Sequence, residues 1–280
     1  MLQRIEATCA YLKSQTELRP EIAIILGTGL GGLTEEISVE KEIPYSQIPG
    51  FVQSTVAGHS GKLIFGTIAG VPVMAMQGRF HFYEGYPMKD VTYPEVVMKG
   101  MGIKYLMVSN AAGGLNPEFK AGDIMLITDH INLFPEHPLR GKNEDSIGTR
   151  FPDMNNAYNR DLIALAEKVA ASNNIPYKKG VYVGTQGPTF ETVAEYKYFR
   201  LIGGDTCGMS TVPEIIVAHW AGIKCFGVSI VSNALGDALN TWRGLFEPSE
   251  KVCKAVFSSL VPLRVEISAN GPRKELGSRM

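Results

Sequence analysis

Short runs rich in Val and Ile recur along this 280-residue chain, and stretches of helical period separate several of them. The clearest runs are 21–26, 63–68, 71–76, 105–109, 124–128, 180–184 and 224–232. They are apolar nearly throughout rather than at alternate positions, which suits strands covered on both faces. Helical patterns fall at 88–101, 159–172, 191–201, 213–221 and 249–260, and the first fifteen residues read as an amphipathic helix. Alternation of this kind predicts an α/β fold: a single domain with a mixed, largely parallel central β-sheet flanked by helices on both faces. In such sheets ligands lie beyond the carboxyl ends of the strands. The residues that follow each strand are therefore the ones to inspect.

Charge narrows the partners. Lys and Arg total 27 against 28 Asp and Glu, a formal net charge of -1, so no global basic field invites nucleic acid. A small anion would have to be held by a local site. No apolar run reaches membrane-spanning length, and the start of the chain lacks the apolar core of a secretory signal. Cys9, Cys207, Cys225 and Cys253 show no C-x-x-C spacing, so reduced thiols in a cytoplasmic protein are expected rather than a disulfide framework or a thiolate zinc site. One domain is expected over 1–269. The polar, charged stretch 270–280 is expected to be a flexible tail.

The first strand runs into Gly27-Thr28-Gly29-Leu30-Gly31-Gly32, a match to G-x-G-x-x-G. The pattern tempts a dinucleotide-binding reading. That reading wants an acidic residue about 20 positions on, at the end of the second strand, to hold a ribose. No Asp or Glu occurs from Ile43 to Tyr83. What survives is the physical core of the pattern: backbone N–H groups, with the Thr28 hydroxyl, free to approach an anion. A tight turn with no ligand accounts for the glycines equally well.

A second cluster shifts the balance. Gly58-His59-Ser60-Gly61-Lys62 precedes one strand, and Gln77-Gly78-Arg79-Phe80-His81-Phe82-Tyr83-Glu84-Gly85 follows the next. Arg79 and His81 lie two apart at a strand end, so both can face one side. Arg presents a planar fork that suits phosphate, and His both donates and titrates near neutral pH. Alone, each is more often a surface Arg or a satisfied core His. With the glycine loop and His59 they favour a phosphate cradle.

Later segments carry a family resemblance. They are Ser109-Asn110-Ala111-Ala112-Gly113-Gly114, then Asp129-His130-Ile131-Asn132, then Gly187-Pro188-Thr189-Phe190-Glu191-Thr192, then Gly208-Met209-Ser210-Thr211-Val212-Pro213-Glu214, and Ser232-Asn233. Taken in order with the earlier motifs, they resemble the trimeric class of purine nucleoside phosphorylases, from about Glu21 to Asn233. The resemblance implies phosphate binding by Thr28, His59, Arg79, His81, Ala111 (through its backbone) and Ser210. It implies ribose contacts from Tyr83 and Met209, and a purine pocket of Phe190, Glu191, Cys207 and Asn233. Phe151 matches a phenylalanine that reaches a neighbouring subunit's site, which implies a homotrimer with active sites near the interface. No metal or organic cofactor is implied, inorganic phosphate being a co-substrate.

That chemistry has two electrostatic demands. Positive charge builds at the sugar C1′ while negative charge flows onto the leaving purine, and both ends must be stabilised more in the transition state than in the ground state. Phosphate serves the sugar end. At the base end, Asn233 can donate to O6 and accept from a protonated N7. Ionised Glu191 only accepts, which suits the N1–H of hypoxanthine or guanine. Adenine would leave that carboxylate unpaired, at a cost of about 1–3 kcal/mol. The expectation is therefore phosphorolysis of inosine and guanosine in purine salvage, with Asn233, Glu191 and His81 as the catalytic set. Taken singly, Asn233 could instead cap a helix and Glu191 could sit in a helix first turn.

Two departures from the family stand out. Thr28 replaces the Ser of many members, with the hydroxyl kept. No His occurs from Ala234 to the end, although mammalian members place one there against the ribose 5′-hydroxyl. The glycine and polar residues of 236–240 suggest a loop that closes over the site. Three other classes fit the sequence less well: a nicotinamide-dependent oxidoreductase on the glycine loop, a non-catalytic nucleoside sensor, and a 5′-methylthioadenosine phosphorylase, which Asn233 and Glu191 disfavour.

Overall fold

The computed structural model describes residues 1–27, 31–54, 61–233, 257–259 and 261–262. Among the described residues nine strands form one sheet: β1 (Ile22–Leu26), β2 (Ser38–Pro44), β3 (Lys62–Ile68), β4 (Val71–Gln77), β5 (Tyr105–Gly114), β6 (Ile124–Asn132), β7 (Lys178–Gly184), β8 (Thr206–Gly208) and β9 (Lys224–Asn233). Around it lie α1 (Leu2–Gln15), α2 (Met88–Val91), α3 (Tyr93–Met101), α4 (Arg160–Ser172), α5 (Val193–Leu201) and α6 (Val212–Trp220).

The strand order is β2-β3-β4-β1-β5-β8-β7-β6-β9, and β9 also pairs with β5. Five strands, β5, β8, β7, β6 and β9, therefore close on themselves like a small distorted barrel, with β1 to β4 as an open wing. The pairings β1/β4, β1/β5, β5/β9, β6/β7 and β7/β8 are parallel. The pairings β2/β3, β3/β4, β5/β8 and β6/β9 are antiparallel, so the sheet is mixed with only a narrow parallel majority.

The apolar runs become buried strands for the expected reason. All five residues of β1 are buried, and the first part of β5, Tyr105 to Val108, lies between β1 and β9. β5 and β6 extend beyond their apolar runs: β5 carries on through Ala111-Ala112-Gly113-Gly114, where Ala111 pairs with Ile230 and Ala112 with Val231. The predicted helix 88–101 breaks at Thr92 into α2 and α3, with Pro94 at the start of the second piece. Two strands had no strong sequence signal. β2, Ser-Val-Glu-Lys-Glu-Ile-Pro, is an exposed edge strand with a bulge, and β8 is three residues long. Among the described residues no helix is long and apolar enough to cross a membrane. The predicted helix at 249–260 lies mostly, and the tail at 270–280 and the closing loop at 236–240 wholly, outside the described residues.

Candidate active site

Past β4 the chain carries Arg79 into the interior, where it is only 1% exposed. A buried guanidinium needs its donors satisfied and its charge balanced. Nη1 donates to Ser210 Oγ at 2.8 Å and, at 3.4 Å, to Thr211 Oγ1. Nη2 donates to the Ser109 carbonyl at 2.7 Å. Nε lies 3.4 Å from Glu214 Oε1. Gly27 N donates to Ser109 Oγ at 3.4 Å, so the first residue of the glycine loop meets the same end of β5.

Ser210 sits in a strained turn. Val212 N donates to the Ser210 carbonyl at 2.7 Å, and Thr211 between them has φ 69° and ψ -53°. This is a γ-turn with positive φ at a β-branched residue, a conformation that costs about 1–3 kcal/mol. Its neighbours hold it in place. Thr211 N donates to Glu214 Oε2 at 2.8 Å, completing a capping box at the start of α6, and Asn110 Nδ2 donates to Thr211 Oγ1 at 2.8 Å. Strain kept in this way aims the Ser210 hydroxyl at Arg79.

His81 is held by Glu84. Glu84 Oε1 accepts from His81 N at 2.7 Å and lies 3.3 Å from Nδ1. The ring stacks on Tyr83 with centroids 4.6 Å apart. Burial pushes the His81 pKa below its ordinary value, the Glu84 hydrogen bond opposes this, and the Arg79 charge adds to it. The imidazole is thus neutral at neutral pH. With Nδ1–H turned to a carboxylate, Nε2 is an acceptor.

Two glycines show how the remaining candidates converge. A Cβ on Gly187 would run into Met209 and lie 3.2 Å from Tyr83, so the two ribose candidates flank one point. A Cβ on Gly113 would meet Asn233 Oδ1, Cys207 Sγ and the Tyr196 hydroxyl, each at 3.5 Å. Asn233 ends β9 and is 8% exposed; its Oδ1 accepts from Ser232 Oγ at 2.8 Å. Glu191 Oε1 is 3.5 Å from Thr185 Oγ1. The Tyr196 phenol is pushed up to about 12, chiefly by burial and then by Cys207 and Glu191. Burial likewise raises the Cys207 thiol, which keeps it protonated and unreactive.

Glu191 is not in a helix first turn. α5 begins at Val193, capped by Thr192 with Glu195, and Glu191 lies on the segment before it. Asn233 is the last residue of a strand rather than a helix cap within the described residues. Phe190 is 59% exposed and Phe151 is 84% exposed, with the Arg150 guanidinium 5.3 Å over the Phe151 ring. Ala111 lies in β5, half-buried. Thr28 and His59 lie outside the described residues. No group of His, Cys, Asp or Glu among the described residues is placed to hold a metal ion.

Sequence reasoning did not single out Glu84, Tyr196 or the supporting role of Glu214. Two of these had a signal. His81-x-x-Glu84 and Thr211-x-x-Glu214 both have the spacing of a capping box. Tyr196 had none, since a half-buried helical Tyr reads as packing.

Residues 21–261 match the family described as the Phosphorylase superfamily. Purine nucleoside phosphorylase 1 of Bacillus subtilis is 52% identical over 264 residues, covering 93% of this chain and 97% of that one. The chain belongs to the purine nucleoside phosphorylase family. The fold agrees. The crystal structure of isoform 2 of the Schistosoma mansoni enzyme, in complex with cytosine and ribose-1-phosphate, superposes with a TM-score of 0.88 at 39% identity, covering 92% of this chain and 95% of that one. A schistosoma purine nucleoside phosphorylase in complex with hypoxanthine superposes with a TM-score of 0.86 at 40% identity, covering 93% of this chain and 96% of that one.

Proposed function

We propose that this enzyme cleaves 6-oxopurine ribosides and deoxyribosides, inosine and guanosine foremost, with inorganic phosphate, releasing the free base and (deoxy)ribose 1-phosphate for purine salvage. The observation that carries the reading is the Arg79–Ser210 contact at 2.8 Å, made by a buried cation and a hydroxyl on a strained turn. An anion bound there meets donors already fixed, which is the preorganisation that stabilises a developing charge. Thr28, His59 and the Ala111 backbone complete the cradle in this reading. Neutral His81 accepts at Nε2 a hydrogen bond from the remaining hydroxyl of a phosphate dianion, while Glu84 fixes the ring. Phosphate held in line below C1′ is both nucleophile and counter-charge to the sugar cation, and positioning of this kind can supply roughly 7–11 kcal/mol.

Tyr83 and Met209 pack the ribose. At the base, Asn233 donates to O6 and accepts from N7–H, Glu191 accepts from N1–H, and Cys207 and Phe190 shape the walls. Tyr196, placed between Glu191 and Asn233, orients both. The reaction needs no metal or organic cofactor, since charge on the base is met by hydrogen bonds and charge on the sugar by phosphate. Phe151 and the exposed Val193 and Leu201 on α5 suit burial in a cytoplasmic homotrimer, with Phe151 entering a neighbouring site; sedimentation at working concentration tests this.

Base release from inosine, guanosine and adenosine, each with and without phosphate, tests the function. Release from the first two that needs phosphate is expected, with adenosine poor. Release from all three alike would overturn the base preference, and release without phosphate would overturn the mechanism.

A further inference from the structure

One buried acid is used by nothing above. Glu95 lies in the first turn of α3, is 1% exposed, and its Oε2 has no hydrogen-bond partner among the described residues. α3 packs on α6, the helix that carries Glu214. The charges in this part of the interior, among the described residues, are then Arg79, Glu214, Glu95 and the Glu84 carboxylate that holds His81. Glu214 holds both the Arg79 ion pair and the Thr211 N–H. One cation serves one carboxylate, and a second carboxylate here would be ionised, dry and uncompensated.

We propose that Glu95, on the helix packed against the one that carries Glu214, is kept as a neutral carboxylic acid, and that its ionisation opposes anion binding at Arg79 and Ser210. The second half rests on the reading of that cluster as the phosphate cradle. Burial, and next the Glu214 carboxylate, hold the Glu95 pKa well above the ordinary carboxylate range, against smaller opposing pulls from a hydrogen bond with its own backbone N–H and then from Arg79. The other titratable groups facing it are Tyr45, from the turn Tyr45–Gln47, and Cys225 of β9. Burial raises both, so they stay uncharged and add nothing to the balance. From α1, Thr8 and Cys9 meet Tyr93 and Val97 rather than Glu95.

With Glu95 protonated, phosphate meets a neutral Arg79–Glu214 pair and the cradle's donors. With Glu95 ionised, the same cluster carries one more negative charge, and a dianion is repelled more strongly. The coupling is reciprocal: phosphate should hold the proton on Glu95 more firmly. A raised carboxyl pKa binds more protons in the folded than in the unfolded state. Its contribution is therefore present at low pH and is lost as pH rises toward the folded pKa.

The test pairs a spectroscopic with a kinetic measurement on the full chain. Infrared difference spectra of wild type against Glu95→Gln should show one protonated-carboxyl carbonyl band missing from the variant. The same band should fade as wild type is brought to alkaline pH, a measurement that stands if the variant folds poorly. Phosphate KM should rise about tenfold in wild type across the alkaline range in which that band fades, and much less in Glu95→Gln. At neutral pH the two should agree within about twofold, because Gln mimics the neutral acid. Absence of the band overturns the proposal outright. A band that disappears as expected beside superimposable KM profiles overturns the coupling to phosphate. Turnover that ignores phosphate in both proteins overturns the reading of the cradle while leaving the neutral acid in place.

Discussion

The two ends of the site are built differently. At the Arg79 end, the guanidinium is buried and held before any ligand arrives: it touches Ser210, Thr211, Ser109 and Glu214, and a strained turn is locked by its own capping box. At the Gly113 end, Asn233, Cys207 and Tyr196 stand 3.5 Å from one point without filling it, and Phe190 faces outward. Under the proposed function, the difference follows from the charges each end would handle. A dianion repays a fixed field, because donors that need not reorganise act most strongly on charge. A neutral purine is recognised by shape and a few polar groups, and these can wait half-open until it enters.

The sharpest way to break the comparison is Arg79→Met. Methionine removes the charge and leaves Glu214 buried without its partner, which should cost about 3–5 kcal/mol of stability. Turnover should fall about a thousandfold, as when fixed charge stabilisation is withdrawn. Thermal melts and phosphate saturation curves read the two losses. If phosphate KM stayed at the wild-type value, Arg79 would be a structural cation only.

Asn233→Ala should show the opposite pattern: little change in melting temperature but a drop in kcat of about a hundredfold with inosine. A loss of stability comparable to that of Arg79→Met would mean that the base end is as tightly built as the phosphate end. Smaller again, Glu191→Gln should lower kcat/KM for inosine about tenfold while adenosine loses less, because the amide can also donate to N1. Equal losses for both nucleosides would sink the role assigned to Glu191.

Much of this contrast was legible in the chain. The apolar runs marked β1, β3, β4 and the cores of β5, β6, β7 and β9 because burial on both faces demands unbroken Val and Ile. They missed β2, whose Glu40, Lys41 and Glu42 suit an exposed edge, and β8, which is too short to show a period. Arg79 and Ser210 stood out as residue types, yet their contact spans 131 positions and is fixed only by the fold. The strain at Thr211 could not be read at all, since a Thr beside a proline-led helix suggests an ordinary cap. Glu95 is the extreme case. One Glu in a helical pattern reads as a solvated face, and only the tertiary packing around α3 buries it.

The finest test concerns the hinge between the two ends, where His81 and Tyr83 stack. Glu84→Gln keeps an oxygen to accept from His81 N, so the short turn Phe82–Glu84 should survive, but the carboxylate is gone. Burial already depresses the His81 pKa, and the Glu84 hydrogen bond pulls it back upward. Removing that opposing pull lowers it further. His81 is neutral above its folded pKa, so the stability this neutrality contributes is full above the unfolded value of about 6.5 and is lost as pH falls. In phosphorolysis the acid limb of kcat/KM for phosphate should move to lower pH in the variant, while the rate at neutral pH drops only about threefold from looser ring orientation. A limb that moved to higher pH would show that His81 acts as the cation. The phosphate end would then gain a second charge, and its neutrality beside Arg79 would have to be abandoned.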